Sequence, residues 1–118
     1  MTTREIGNIG EDYTADFLKY KGCTILERNF TVRGGEIDII ARKGNVLHFV
    51  EVKSRKKNPL STGTEAVTER KIQHIIKAAS EYIQRNEIEL SCIFDVAVVE
   101  IDGGRVTDFK YIQRAFNA

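Results

Sequence analysis

Residues 36–54, EIDIIARKGNVLHFVEVKS, are two apolar-rich runs that meet at Gly44-Asn45. A Gly/Asn pair between such runs signals a β-hairpin with a two-residue turn, and Lys43-Gly44-Asn45 offers the φ > 0 residues that such a turn needs. The turn also sets the register. If Lys43 pairs with Val46, counting outward puts Asp38 directly across from Glu51. Cross-strand Cβ atoms lie about 4.5 to 5.5 Å apart, so two carboxylates would face each other and repel. Strand alternation assigns Glu36, Asp38, Glu51 and Lys53 to one face, with Ile40, Leu47 and Phe49 towards the turn. Ile37, Ile39, Ala41, Val46, Val50 and Val52 fall on the other, which reads as core. The acids are then expected at the margin of a second apolar layer.

The rest of the chain frames this hairpin. From Thr3 to Lys21, Ile6, Ile9, Tyr13, Phe17 and Tyr20 recur at helical spacing. Thr2 with Glu5 offers a capping box and Gly22 a stop. A second stripe of this helix, Gly7, Glu11, Ala15 and Leu18, is small enough to let another layer approach closely, with Glu11 in its middle. Strand-like runs follow at Cys23 to Val32, Glu36 to Arg42 and Val46 to Ser54, the first two separated by a turn at Gly34-Gly35. Arg55 to Gly63, broken by Pro59, reads as a loop. Ala66, Val67, Ile72, Ile75, Ile76, Ala79 and Ile83 outline an amphipathic helix over roughly 64–86. Leu90 to Ile101 is rich in β-branched residues, turns at Asp102-Gly103-Gly104 and leads to a short strand near Val106 to Ile112. The order αβββαββ predicts an α/β domain, a mixed β-sheet with helices on its faces.

With 118 residues, the chain is expected to form one domain, 1–118, with a core that needs no disulfide. The longest uncharged stretches are seven residues, against the roughly 20 apolar residues of a membrane span. The N-terminus has no apolar leader block, so the expectation is a cytoplasmic protein without membrane contact. Cys23 and Cys92 are the only cysteines and read as reduced, buried thiols. His48 alternates onto the apolar side, and His74 has no partner in view. A Cys/His zinc site is thereby disfavoured, and a metal here would need oxygen ligands.

Asp38 and Glu51 are placed where a hydrated Mg²⁺ or Mn²⁺ could bridge them, turning a repulsive pair into a ligand set. Lys53 projects from the same face and could stabilise charge developing on a phosphate. Arg55-Lys56-Lys57 follows at once. The whole chain carries +1, yet Arg42 to Lys71 holds eight basic residues against three acids, so a polyanion would be drawn to that segment. The plainer alternative is a hairpin with one wet face, its acids balanced by Lys53 and nearby arginines.

Asp38 followed thirteen residues later by Glu51-Val52-Lys53 resembles the signature of the restriction-endonuclease-like PD-(D/E)xK nuclease superfamily, and the element order is similar to its core. More narrowly, GNIGEDYTADFLKYKG, GEIDIIARKGNVLHFVEVKSR, EAVTERK and FDVAVVEI resemble the YraN-like family of uncharacterised bacterial proteins over nearly the whole chain. The resemblance implies a metal-dependent endonuclease acting on DNA, by analogy on structured or branched DNA. It implies metal ligation by Asp38, Glu51 and the Val52 carbonyl, with Lys53 as the catalytic lysine. Glu11 would complete or orient the site, and Lys71 would reach the phosphate or backbone beside the loop cations Arg55, Lys56 and Lys57, with a plain exposed helix lysine as its equal alternative. Ile37 stands where the superfamily name has proline. Glu36 has two readings, a catalytic acid or a partner of Arg28 or Arg33. Asp95 reads as a buried structural acid held by a backbone or Arg partner, with catalysis as its alternative. The competing function is a non-catalytic nucleic-acid-binding or interaction module that keeps the fold. A symmetric homodimer would supply two sites for cutting both strands.

Overall fold

Capping at Thr2 starts the first helix, because the Thr2 hydroxyl accepts from the Glu5 N–H while the Glu5 carboxyl accepts from the Thr2 N–H, as the sequence predicts. In the computed structural model, which describes residues 1–57 and 67–118, this helix is α1 (Thr3–Tyr20). Gly22, with φ of +91°, ends it. Then come β1 (Thr24–Val32), β2 (Gly35–Lys43), β3 (Val46–Lys56), α2 (Glu69–Arg85), β4 (Ser91–Asp102) and β5 (Arg105–Phe116), in the expected αβββαββ order. The five strands form one mixed sheet in the order β1-β2-β3-β4-β5. Only β3 and β4 run parallel, since α2 is the crossover between them.

The two helices cover opposite faces. Ile40, Leu47 and Phe49 pack with Ile75, Ala78, Ala79 and Tyr82 of α2, whereas Ile39, Ala41 and Val50 pack with Ala15 and Leu18 of α1. Each fully buried Leu, Ile or Phe contributes about 1.5 to 3 kcal/mol. Gly35 lets α2 approach, because a Cβ there would collide with the His74 carbonyl.

Several local expectations need correction. Gly44 alone has positive φ (+58°) in the β2–β3 turn; Asn45 does not, as befits a turn with glycine first. The first turn is Arg33-Gly34, since Gly35 already pairs with Val32. Arg55 and Lys56 extend β3 along β4 instead of opening a loop, and β5 runs on to Phe116. The rest of the expected loop, Asn58 to Gly63, and the expected helix start at Thr64 lie outside the described residues. On α1 the small stripe is the buried one: Glu11, Ala15 and Leu18 are covered, together with Ile6, Gly10 and Thr14. Tyr13 and Phe17 instead pack, with tilted rings, against Phe109 at the rim, and Tyr20 is 86% exposed. Aromatic bulk would hold the helix off the sheet, while Gly10 lets it lie against Ser54.

Candidate active site

The β2–β3 ladder runs from Lys43↔Val46 to Ile39↔Val50, which is the register that the turn predicts, and stops there. Asp38 and Glu51 stand one step past its last pair, where the strands part. Alternation fails at this point. Ile37 was expected beside Ile39 but joins the α2-side cluster with Ile40. The reversal coincides with Asn29, whose φ is +53°; Asn29 and Asp38 fall between the Arg28↔Ile39 and Phe30↔Ile37 pairs. Asparagine tolerates this left-handed conformation, and a polar Asn within an otherwise strand-like run was the available signal.

At the fork, Asp38 Oδ2 accepts a hydrogen bond from Val52 N–H at 2.8 Å. The contact shown for Val52 is therefore this donor. Burial, followed by the charge of the Asp38 carboxyl, pushes the Glu51 carboxyl up to about 8. Burial also raises Asp38, against the Val52 N–H and helped by the charge of Glu11. Neither acid is held by an arginine fork among the described residues. Lys71 Nζ, from α2, donates to Glu36 Oε1 at 3.0 Å and sits 3.6 Å from Glu51 Oε1. Burial would lower that ammonium, but Glu51 and Glu36 outweigh it and raise it. Glu36 thus pairs with Lys71, not with Arg28 or Arg33.

Glu11 is turned towards the same place. Its Oε1 accepts from Arg28 Nε at 3.1 Å and from Asn29 Nδ2 at 3.0 Å, and Arg28 also holds Asp12. Neither partner was foreseen. Glu11, Asp38, Val52 and Lys53 line one groove of about 450 Å³ along α1. Glu51, Lys53 and Lys71 line a hollow of about 280 Å³ beside α2. Lys53 borders both, so the four expected catalytic groups and Lys71 are gathered around one fork. Lys56 and Lys57 are not among them. Five and six residues past Glu51, they are roughly 17 to 20 Å further along the strand, beside Met1 and the Gly103-Gly104 turn. Arg55, half-buried on β3, lies between.

A divalent cation fits these residues. Glu51 Oε2 is buried and, among the described residues, has no hydrogen-bond partner, an orphan acceptor near a second carboxyl. No group of three His, Cys, Asp or Glu side chains able to hold a metal is found among the described residues. The donor set suits a hard ion that keeps much of its water and takes one or two carboxylates, as Mg²⁺ does.

On the face that α1 covers, beside Val50 and Tyr111, Asp95 is fully buried. His48 Nδ1 lies 2.7 Å from its Oδ2, Tyr111 OH donates to the same oxygen, and the Arg114 N–H donates to Oδ1 at 3.0 Å. Asp95 is thus a buried acid with a backbone donor, as expected, although His48 and Tyr111 stand where an arginine was the alternative.

Fold and site together define a class: an α/β domain whose mixed five-stranded sheet carries a buried acid pair, bordered by one lysine, where two strands part. Residues 10–99 match the profile of "Uncharacterised protein family UPF0102". The UPF0102 protein of Dictyoglomus turgidum is 41% identical over 118 residues, covering 98% of this chain and 100% of its own. That of Hahella chejuensis is 40% identical, covering 96% of this chain and 90% of its own, and that of Fusobacterium nucleatum is 48% identical over 75% of each. The chain belongs to the UPF0102 family, the YraN-like family. Among the described residues, no helix is long and apolar enough to cross a membrane.

Proposed function

We propose that this protein is a divalent-metal-dependent hydrolase of phosphodiester bonds in DNA, with structured or branched DNA as the favoured substrate by analogy with the nuclease superfamily that its motif resembles. The observation that carries the reading is the orphan Glu51 Oε2 beside Asp38. Burying two repelling carboxyls costs stability, and a fold gains nothing from an unpaired acceptor; a cation would offset both. Asp38 and Glu51 would hold Mg²⁺ or Mn²⁺, with the Val52 carbonyl as a further oxygen. When bound, such an ion supplies Lewis acidity to water and to a phosphoryl oxygen.

The chain's own groups do the rest. Glu11, clamped by Arg28 and Asn29, orients the Asp38 end of the site. Lys53, two residues past Glu51 on the same strand, faces the reacting phosphate and offsets its growing negative charge. Lys71, held between Glu36 and Glu51 on α2, is the cation that would reach the phosphate or backbone from that side. Arg55, Lys56 and Lys57 serve binding further along β3.

The test uses wild type, Asp38→Asn, Glu51→Gln and Lys53→Ala with single-stranded, duplex, flap and four-way-junction DNA, in Mg²⁺, Mn²⁺ or EDTA. Metal-dependent cutting that disappears in all three variants supports the hydrolase. Equal binding by all four without cutting supports a non-catalytic binding module instead. Cutting that survives Glu51→Gln overturns the assignment. Calorimetric titration of Mg²⁺ into the same proteins reads the ion site independently of cleavage.

A further inference from the structure

Two glycines on α1 contrast. Gly10 has a structural cause, since a Cβ there would collide with Ser54 Oγ. Gly7 has none. Its φ is not in the left-handed range, and beyond its own helix no atom of the described residues lies within 4 Å of the position of its Cβ. Glycine is unfavourable inside a helix because it loses more backbone freedom than alanine, so the fold alone would prefer almost any other residue here. Gly7 does line the groove of about 450 Å³ that ends at Asp38. Thr3, Gly7 and Glu11 stand above one another on the helix at steps of four, so the groove climbs from the helix start, past a bare backbone, to the candidate acids. Arg4 and Asn8 flank the bare turn, Arg4 makes no ion pair among the described residues, and Lys53 closes the opposite wall.

We propose that this groove seats the sugar-phosphate backbone of one DNA strand next to the bond to be cut, with Gly7 as the point of close approach and Arg4 and Asn8 on the flanking phosphate. The inference rests on the hydrolase reading for the place of the reacting bond, but the groove's affinity for a strand is separate from cleavage. Cation and amide contacts to phosphate carry no base preference.

The test is fluorescence anisotropy of a 5′-labelled deoxyoligonucleotide in EDTA, with wild type, Gly7→Leu, Arg4→Gln, and Lys19→Gln as a control that removes a charge from the far end of the same helix. Gly7→Leu should weaken strand binding at least about tenfold while melting no lower than wild type. Arg4→Gln should weaken it about threefold or more and lower the slope of log affinity against log salt by about one. Lys19→Gln should stay within about twofold. An RNA strand that responds to the same variants supports the proposal, since the backbone is the ligand. It is overturned if wild type binds no strand, if blunt duplex binds more tightly than single strand, or if Gly7→Leu and Arg4→Gln both bind as wild type does. Should strand binding fall in Gly7→Leu while no protein cuts, the groove stands and hydrolysis falls. Should cutting require Asp38 and Glu51 while both groove variants bind and cut normally, the reverse holds.

Discussion

The sheet buries acids in two places, and the two sets are treated differently. Asp95 is fully buried with each of its oxygens engaged, by His48 and Tyr111 on one and the Arg114 N–H on the other. The β4–β5 register shifts beside it, and Arg114, with φ of +52°, brings its backbone to the carboxyl. Strain there is used to satisfy the acid. At the fork, Asp38 receives one backbone N–H, Glu51 faces a lysine at 3.6 Å, and Glu51 Oε2 receives nothing from the described residues. A buried acid that is satisfied holds a fold together, while a buried pair left unsatisfied points to a ligand.

The comparison can be broken most forcefully at Asp95. Asp95→Ala, which strands the Tyr111 hydroxyl and the Arg114 N–H, should cost about 3 to 5 kcal/mol in urea unfolding; a loss under about 1 kcal/mol would mean that this acid is not structural. Next, Asp38→Asn and Glu51→Gln should each lower metal-dependent cleavage at least about a hundredfold, or roughly 2.7 kcal/mol, while leaving the cooperative unfolding intact. Tyr111→Phe removes one donor and should cost about 1 to 2 kcal/mol; burial and the bond to Asp95 raise this phenol far from its usual range, so its loss should be insensitive to pH.

The smallest effect carries the sharpest sign. Glu51 has a carboxyl at about 8 when folded, against 4.5 unfolded. Between those values the folded chain binds more protons than the unfolded one, so the Glu51 contribution to stability falls as pH rises through that window. Glu51→Gln has no such slope. Its melting temperature should therefore rise relative to wild type between pH 5 and pH 8, by roughly 4 °C or more if on the order of 1 kcal/mol is recovered. A constant gap across that range would show that Glu51 is not desolvated.

Much of this was legible because short-range rules wrote it. The Thr2 and Glu5 cap, the Gly22 stop and the two-residue turn at Gly44 are local, and the turn carried the register outward to Ile39 and Val50. Alternation then failed at Ile37, because pairing with β3 ends and Asn29 twists the neighbouring strand, neither of which is local to Ile37. The partners of the acids were illegible for the same reason. Arg28, Asn29 and Lys71 come from other elements, and Lys71 took Glu36 where Arg28 or Arg33 was expected.

The sequence by itself determined the order of elements, the hairpin register and thus which acids would meet, because turn geometry and side-chain period act over a few residues. Only the tertiary structure decided that they meet where the strands part, buried and short of donors, on a helix face with a bare glycine. Desolvation and the choice of counter-charge depend on which distant surfaces close over a site, and a linear pattern does not encode that closure.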